Sequence, residues 1–285
     1  MRRPFKLLTK TLALAALLTG AASAQAWGDF GHKVSARIAQ SLLKPDAQAQ
    51  VIALAGSLDL ASLANYLDSL RDAPEKDRPD SSQWHYDKRP LCLPAAVLAS
   101  YCPDDNCASI QITKHERILM DTTQSAADRL FALQVLVHVV GDIHQPLHSM
   151  NYRGTGGNNI KVKLAGFPTT LNLHTAWDNA LLWRTFKSVD HDAIALALLA
   201  TPLAANLPSY LAGTPTEWLA ESYAIASETA FGRLPKFSCG LGTKLDAITT
   251  LNTAYVTKAK QIIPLQLLKA GARIAHVLNR ALAKP

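Results

Sequence analysis

The stretch Leu136-Val137-His138-Val139-Val140-Gly141-Asp142-Ile143-His144-Gln145-Pro146-Leu147-His148 decides how this 285-residue chain is read. It ends an apolar run from Ser125, a plausible N-cap, that predicts a helix over 125–144, terminated by Pro146. His138 and Asp142 lie four apart, so both side chains leave one face of that helix. Around them stand Phe131, Val135, Leu136, Val137, Val139, Val140 and Ile143. A lone His-x-x-x-Asp pair is ordinarily an ion pair. Burying one among such neighbours without a partner is costly, and a divalent cation would offset that cost. Pro146 turns the chain so that His148 can return toward the same region. The spacing recurs at His174-Thr175-Ala176-Trp177-Asp178, and together these five residues predict metal.

Outward from that centre the chain reads as one all-α domain. Helical spacing covers 33–43, 46–56 and 58–71, the last with Leu60, Leu63, Leu67 and Leu70 on one face. The span 72–108 holds Pro74, Pro79, Pro90, Pro94 and Pro103 with three of the cysteines, and predicts a long fastened loop. Residues 160–164 alternate apolar residues with lysines. With the turn Gly166-Phe167-Pro168 they predict a small β-hairpin returning through Leu171 and Leu173. Helices are expected at 174–186, 190–200, 215–230 and 243–282, the last broken near Pro264.

Composition bounds the rest. Hydrophobic residues are 48% and charged residues 18% of the chain, enough for a sizeable core and too little charge for a disordered tail. Arg2, Arg3, Lys6 and Lys10 precede the apolar run Leu12–Leu18, and Ala24-Gln25-Ala26 offers a small-x-small cleavage site. That is the layout of a secretory signal over 1–26. The run is shorter than the roughly 20 residues a membrane anchor needs. The mature domain is then 27–285, periplasmic or secreted, with no membrane association. The whole chain carries +7, and removing the four basic residues of 1–26 leaves +3. Such a balance is no argument for a nucleic-acid partner, so phosphate attraction must be local.

Cys92, Cys102, Cys107 and Cys239 suggest two disulfides in an exported protein, with three pairings open. Cys102 and Cys107 bracket a short turn and could close a small loop, leaving Cys92 for Cys239. Thiolate ligation of zinc is the rival reading, weakened by the absence of Cys-x-x-Cys. At the expected mature terminus, Trp27-Gly28-Asp29-Phe30-Gly31-His32, the α-amine titrates near 8. Amine and carbonyl of Trp27 could therefore chelate a cation, with His32 folding back beside it. Asp68 and His85 are unremarkable taken singly.

Taken in order, Trp27-Gly28…Gly31-His32, Ala61-Ser62…Asp68…Arg71, Trp84-His85, His138…Asp142…Gln145-Pro146-Leu147-His148, Gly156-Gly157-Asn158 and Leu173-His174…Trp177-Asp178-Asn179 resemble something specific. The chain is similar to the zinc-dependent single-strand nucleases of fungi, plants and bacteria, which share a superfamily with bacterial zinc phospholipase C. The resemblance implies a mainly helical globule with three zinc ions at the bottom of a cleft. It implies Asp68, His85, His138 and Asp142 on a first zinc, and His148, His174 and Asp178 on a second. Trp27 and His32 would hold a third, bridged by Asp142. It further implies Arg71 and Asn179 at the scissile phosphate, with Asp68 also in the catalytic set, and Tyr86, Asp87 and Asn158 as further substrate contacts. The implied disulfides are Cys92–Cys239 and Cys102–Cys107.

The implied activity is endonucleolytic cleavage of single-stranded RNA and DNA by metal-activated hydroxide. It leaves 5′-phosphates, with release of phosphate from 3′-nucleotides, by a monomer. Three residues after the loop histidine the family often has a carboxylate; here Lys88 stands there, a departure from the family pattern. His115, His144, His191 and His276 match no ligand position. The rivals are a phospholipase C, disfavoured by Asp178 and the tight Trp27–His32 spacing, and a non-catalytic zinc-binding protein, disfavoured by Arg71 beside Asp68.

Overall fold

The computed structural model describes residues 27–73, 79–91, 102–235, 237–239 and 247–283. The expected leader, 1–26, and Cys92 lie outside them. Helices dominate: α1 (Gly28–Ser41), α2 (Pro45–Ala55), α3 (Leu60–Leu63), α4 (Tyr66–Ser69), α5 (Ala108–Met120) and α6 (Ala126–Asp142). A continuous helical run, α7, follows as Leu173–Thr175, a π-helical Ala176–Ala180 and Leu181–Phe186. Then come α8 (His191–Leu199), α9 (Leu207–Tyr210), α10 (Pro215–Ile225) and α11 (Thr253–Ala281). Short strands are β1 (Arg89–Pro90), β2 (Met150–Asn151), β3 (Lys161–Leu164), β4 (Leu171–Asn172) and β5 (Thr249–Leu251).

The local signals act as their chemistry requires. Ser125 caps α6, its side chain accepting from Asp128 N, and Thr214 with Glu217 forms a full capping box on α10. The hairpin forms with Lys161 opposite Asn172 and Val162 opposite Leu171. Leu173 is already helical, and β5 adds a parallel third strand to β3.

Three expectations are corrected. The 58–71 helix is broken at Asn65 (φ −106°, ψ 7°), because Asp59 caps one short turn and a second begins at Tyr66. The last helix begins at Thr253, capped by Asn252, not at 243. It also runs unbroken through Pro264. Helix α5 and the turns of Pro202–Tyr210 carried no clear periodicity. The buried face of α5 includes Ser109, Gln111 and His115, so its inward stripe does not read as apolar.

Two apolar cores flank the middle of the molecule. One gathers Trp27, Val34, Ile38, Trp177, Leu181, Phe231, Tyr255, Ile263 and Leu267. The other gathers Ala36, Leu60, Leu63, Leu67, Ile112, Val135, Leu136, Val139, Trp218, Ile274 and Leu278. Helices α1 and α11 contribute to both, and they cross closely at Gly271, where a Cβ would fall 2.4 Å from Ile38 Cγ2. Cys102 and Cys107 are disulfide-bonded, with Cα atoms 5.6 Å apart. Cys239 is not free either, but its expected partner is Cys92. Among the described residues no single helix is long and apolar enough to cross a membrane.

Candidate metal centre

The C-terminal turn of α6 delivers His138 and Asp142, both fully buried. The break before α4 leaves Ala64 O free to accept from His138 Nδ1 at 2.7 Å. Gly141, one residue before Asp142, lets His32 of α1 lie against the helix: a Cβ there would stand 3.0 Å from His32 Nδ1. The His32 ring stacks on that of His138, centroids 4.1 Å apart. His85 reaches in from the loop, its Nδ1 3.1 Å from His138 Nε2 and 3.0 Å from Asp142 Oδ2. Asp68, from α4, stands 3.7 Å from His138 Nε2.

The second half is built by the turn after α6 and by α7. His148 sits on the 3-10 turn Pro146–Ser149. His174 and Asp178 sit on α7, where the π-helical turn widens the spacing around Asp178. Among the described residues three clusters of ligand-type atoms result, each spanning no more than 4.8 Å: His32, His138 and Asp142; Asp68, His85 and His138; and His148, His174 and Asp178.

Tautomers follow from the partners. His138 donates Nδ1–H to Ala64 O, His148 to His85 O at 2.6 Å, and His174 to Gly156 O at 2.7 Å. A carbonyl only accepts, so the neutral rings of His148 and His174 each turn a bare Nε2 lone pair inward. His148 Nε2 and His174 Nε2 then face each other at 3.1 Å. Burial and the neighbouring positive groups outweigh nearby Asp142, holding His148 at about 3 and His174 at about 4, so both are neutral at pH 7. Two lone pairs that close repel unless a cation sits between them. Both ring nitrogens of His32, Nε2 of His85, Oδ1 of Asp142 and Oδ2 of Asp178 are likewise buried without a hydrogen-bond partner. This donor set, imidazoles and carboxylates with inward lone pairs, fits divalent zinc-type cations.

The charges are uneven. Burial would raise Asp142, but His138, His32 and His85 hold it well below the usual carboxylate range. Burial would lower His138, but Asp142 and Asp68 lift it to about 9. Asp178 is pushed well above its ordinary value by burial, which the Gln145 hydrogen bond only partly opposes.

A cleft of about 190 Å³ opens over this floor, lined by His85, His148 and His174 together with Arg71, Tyr86, Lys88 and Asn158. Arg71 Nη2 is 2.9 Å from Asp68 Oδ1 and its side chain is 30% exposed. Tyr86 does not pack on Trp84, which meets His115 and Phe131 instead; Lys88 Nζ lies 4.4 Å over the Tyr86 ring. Asn179 is exposed, against Gly28, where an added Cβ would stand 2.1 Å from its Oδ1. Trp27 is buried with left-handed backbone (φ 41°), its carbonyl accepting from Gly31 N at 3.0 Å.

Asp87 departs from expectation as a substrate contact. It is 1% exposed and bound to Ser109 N and Oγ, with Arg89 3.6 Å away, so it fastens the loop to α5. Sequence reasoning gave no role to Gln145, nor to the carbonyls of Ala64, His85 and Gly156. Carbonyls have no residue-type signature. Gln145 stood inside the decisive motif but looked like a turn residue.

A mainly helical fold that converges three His/Asp clusters able to hold metal ions beneath a cleft lined by Arg71 fits the class of metal-dependent phosphoester hydrolases. The S1/P1 Nuclease family model matches residues 27–283, and the chain belongs to that family. It is a hydrolase of phosphodiester bonds, of the single-strand-specific endonuclease type. The chain is similar to Endonuclease 3 of Arabidopsis thaliana, 26% identical over 96% of this chain and 94% of that protein. It is 32% identical to Nuclease S1 of Aspergillus oryzae over 62% of this chain and 60% of that protein. Nuclease P1 of Penicillium citrinum is 26% identical over 89% and 97% respectively.

Proposed function

We propose that this protein is an extracytoplasmic, monomeric, three-zinc endonuclease. It cleaves single-stranded RNA and DNA to 5′-phosphorylated products and releases phosphate from 3′-nucleotides. The observation that carries the metal reading is the approach of His148 Nε2 to His174 Nε2 at 3.1 Å with both Nδ1–H groups committed to carbonyls. The ligands are Asp68, His85, His138 and Asp142; His148, His174 and Asp178; and Trp27 with His32, with Asp142 shared between sites. Bound zinc supplies Lewis acidity toward phosphoryl oxygen and lowers the pKa of water from about 15.7 toward 7.

The chain's own groups do the rest. Arg71, in the cleft wall beside Asp68, faces the scissile phosphate and neutralises charge that grows on its oxygens. Tyr86 and Asn158, on the same cleft, hold the nucleoside. Asn179, against Gly28 on the α7 side, orients the phosphate. The cluster lies under the cleft floor, so a base must leave its stack to bring phosphorus within reach, which favours single strands.

The test is hydrolysis of single-stranded RNA and DNA against the same sequences as duplexes. We expect cleavage of the single strands, 5′-phosphate ends, loss on chelation and recovery with zinc. Turnover of phosphatidylcholine with intact RNA would transfer the site to the phospholipase reading. Retaining one extra residue before Trp27 should impair the third metal equivalent; unchanged zinc content would remove the terminus from the ligand set.

A further inference from the structure

We infer that Gln145 is the positioning residue of the His148–His174–Asp178 cluster, a role that rests on the metal reading above. Gln145 is fully buried between α6 and the 3-10 turn, and its carboxamide is used at both ends. Oε1 accepts from Leu147 N at 2.5 Å, capping the turn that presents His148. A backbone N–H can only donate, so this bond fixes the amide orientation and leaves Nε2 as the donor. Nε2 in turn donates to Asp178 Oδ1 at 2.5 Å. One side chain therefore joins a carboxylate of α7 to the turn bearing a histidine 30 residues earlier in the chain.

The consequence for Asp178 is specific. With Oδ1 engaged by Gln145, the oxygen left without a partner is Oδ2, which stands 3.6 Å from His174 Nε2. Gln145 thus selects which oxygen turns toward the two histidines and prevents the carboxylate from rotating away. His174 is set independently by Gly156 O and His148 by His85 O, so each ligand of this cluster has its own support. Outer partners of this kind are worth about 10- to 100-fold in metal affinity.

The experiment is zinc titration of the whole protein in competition with a chromogenic chelator, on wild type, Gln145→Met and Gln145→Glu. The methionine removes both hydrogen bonds. The glutamate keeps an acceptor for Leu147 N and removes the donor facing Asp178, so the turn survives in at least one variant. We expect both variants to bind one of three zinc equivalents about 10- to 100-fold more weakly, with the other two unchanged. Cobalt substitution should show the same loss as one altered absorption component. Three equivalents at wild-type affinity, or equal weakening of all three, would overturn the inference while leaving the metal reading intact. A wild-type chain that binds no zinc would overturn both.

Discussion

Asp142 stands at the middle of the candidate centre: His32, His85 and His138 all lie within 3.3 Å of its oxygens. Replacing it with asparagine keeps the shape and removes the charge that lets those histidines share cations. Asp142→Asn should therefore bind fewer than three zinc ions per chain and lose activity by at least ~100-fold. Elemental analysis of a fully active mutant that still shows three ions would remove Asp142 as a ligand. Arg71 separates chemistry from metal binding. Arg71→Ala should lower kcat by about 10²–10³ with zinc content unchanged, as expected for a group that meets charge only in the transition state. Loss of zinc instead of rate would make it a support for Asp68. At this scale His138, Asp142, His148, His174 and Asp178 were legible because two His-x-x-x-Asp pairs and a nearby histidine recur, one pair in an apolar helix, whereas Asp68 and His85 stood out only through the ordered motifs. Asp87 was not legible: an acid in a polar loop reads as exposed, and only its bonds to Ser109 reveal that it is interior.

Elements place those residues through their irregularities more than their regular stretches. The break at Asn65 frees the Ala64 carbonyl for His138, and the π-helical turn at Ala176–Ala180 carries Asp178. Neither is visible in periodicity, since the residues on each side satisfy an ordinary helical pattern. Pro264 makes the opposite point. Proline inside a helix costs about 3 kcal/mol, yet α11 continues because one half packs in each core and both must stay aligned. The α1–α11 crossing is a tight contact. At Gly271 an added Cβ would meet Ile38 Cβ at 2.5 Å and the Ser35 carbonyl at 2.8 Å, so the helices must separate. Gly271→Ala should lose about 1–3 kcal/mol in denaturant unfolding and, through α1, loosen His32. An unchanged midpoint would show that the crossing has slack.

At the scale of the whole molecule, the proposed ligands come from α1, α4, α6, α7 and two loops, so metal binding would couple to the fold. Chelation should lower Tm by roughly 5–10 °C for each ion held at about 100 times its Kd. A scanning experiment with and without chelator measures it, and identical curves would contradict the coupling. The metal-free protein should also be acid-sensitive in a defined window. His144 and His148 are held at about 3 and His174 at about 4, all below the ordinary 6.5. Their unfolded counterparts take up protons first, so the stability present above about pH 6.5 is lost as pH falls toward 3–4. Asp178, raised, opposes this with a single proton, and three histidines outweigh it. His138, at about 9, adds a contribution that is present below 6.5 and fades as pH rises through 9. Metal-free Tm should therefore fall between pH 6.5 and 4; a flat profile would refute the assignment of buried neutral histidines.

The sequence by itself determined the helical class, the capped helix that carries His138 and Asp142, and the residue types able to ligate, because periodicity, caps and donor chemistry are local properties. The tertiary structure alone decided which lone pairs face one another, that Asp87 turns inward, and that Gln145 joins Asp178 to the turn bearing His148. Those depend on where carbonyls and amides from distant segments meet, and a backbone group carries no mark of its partner in the residue it belongs to.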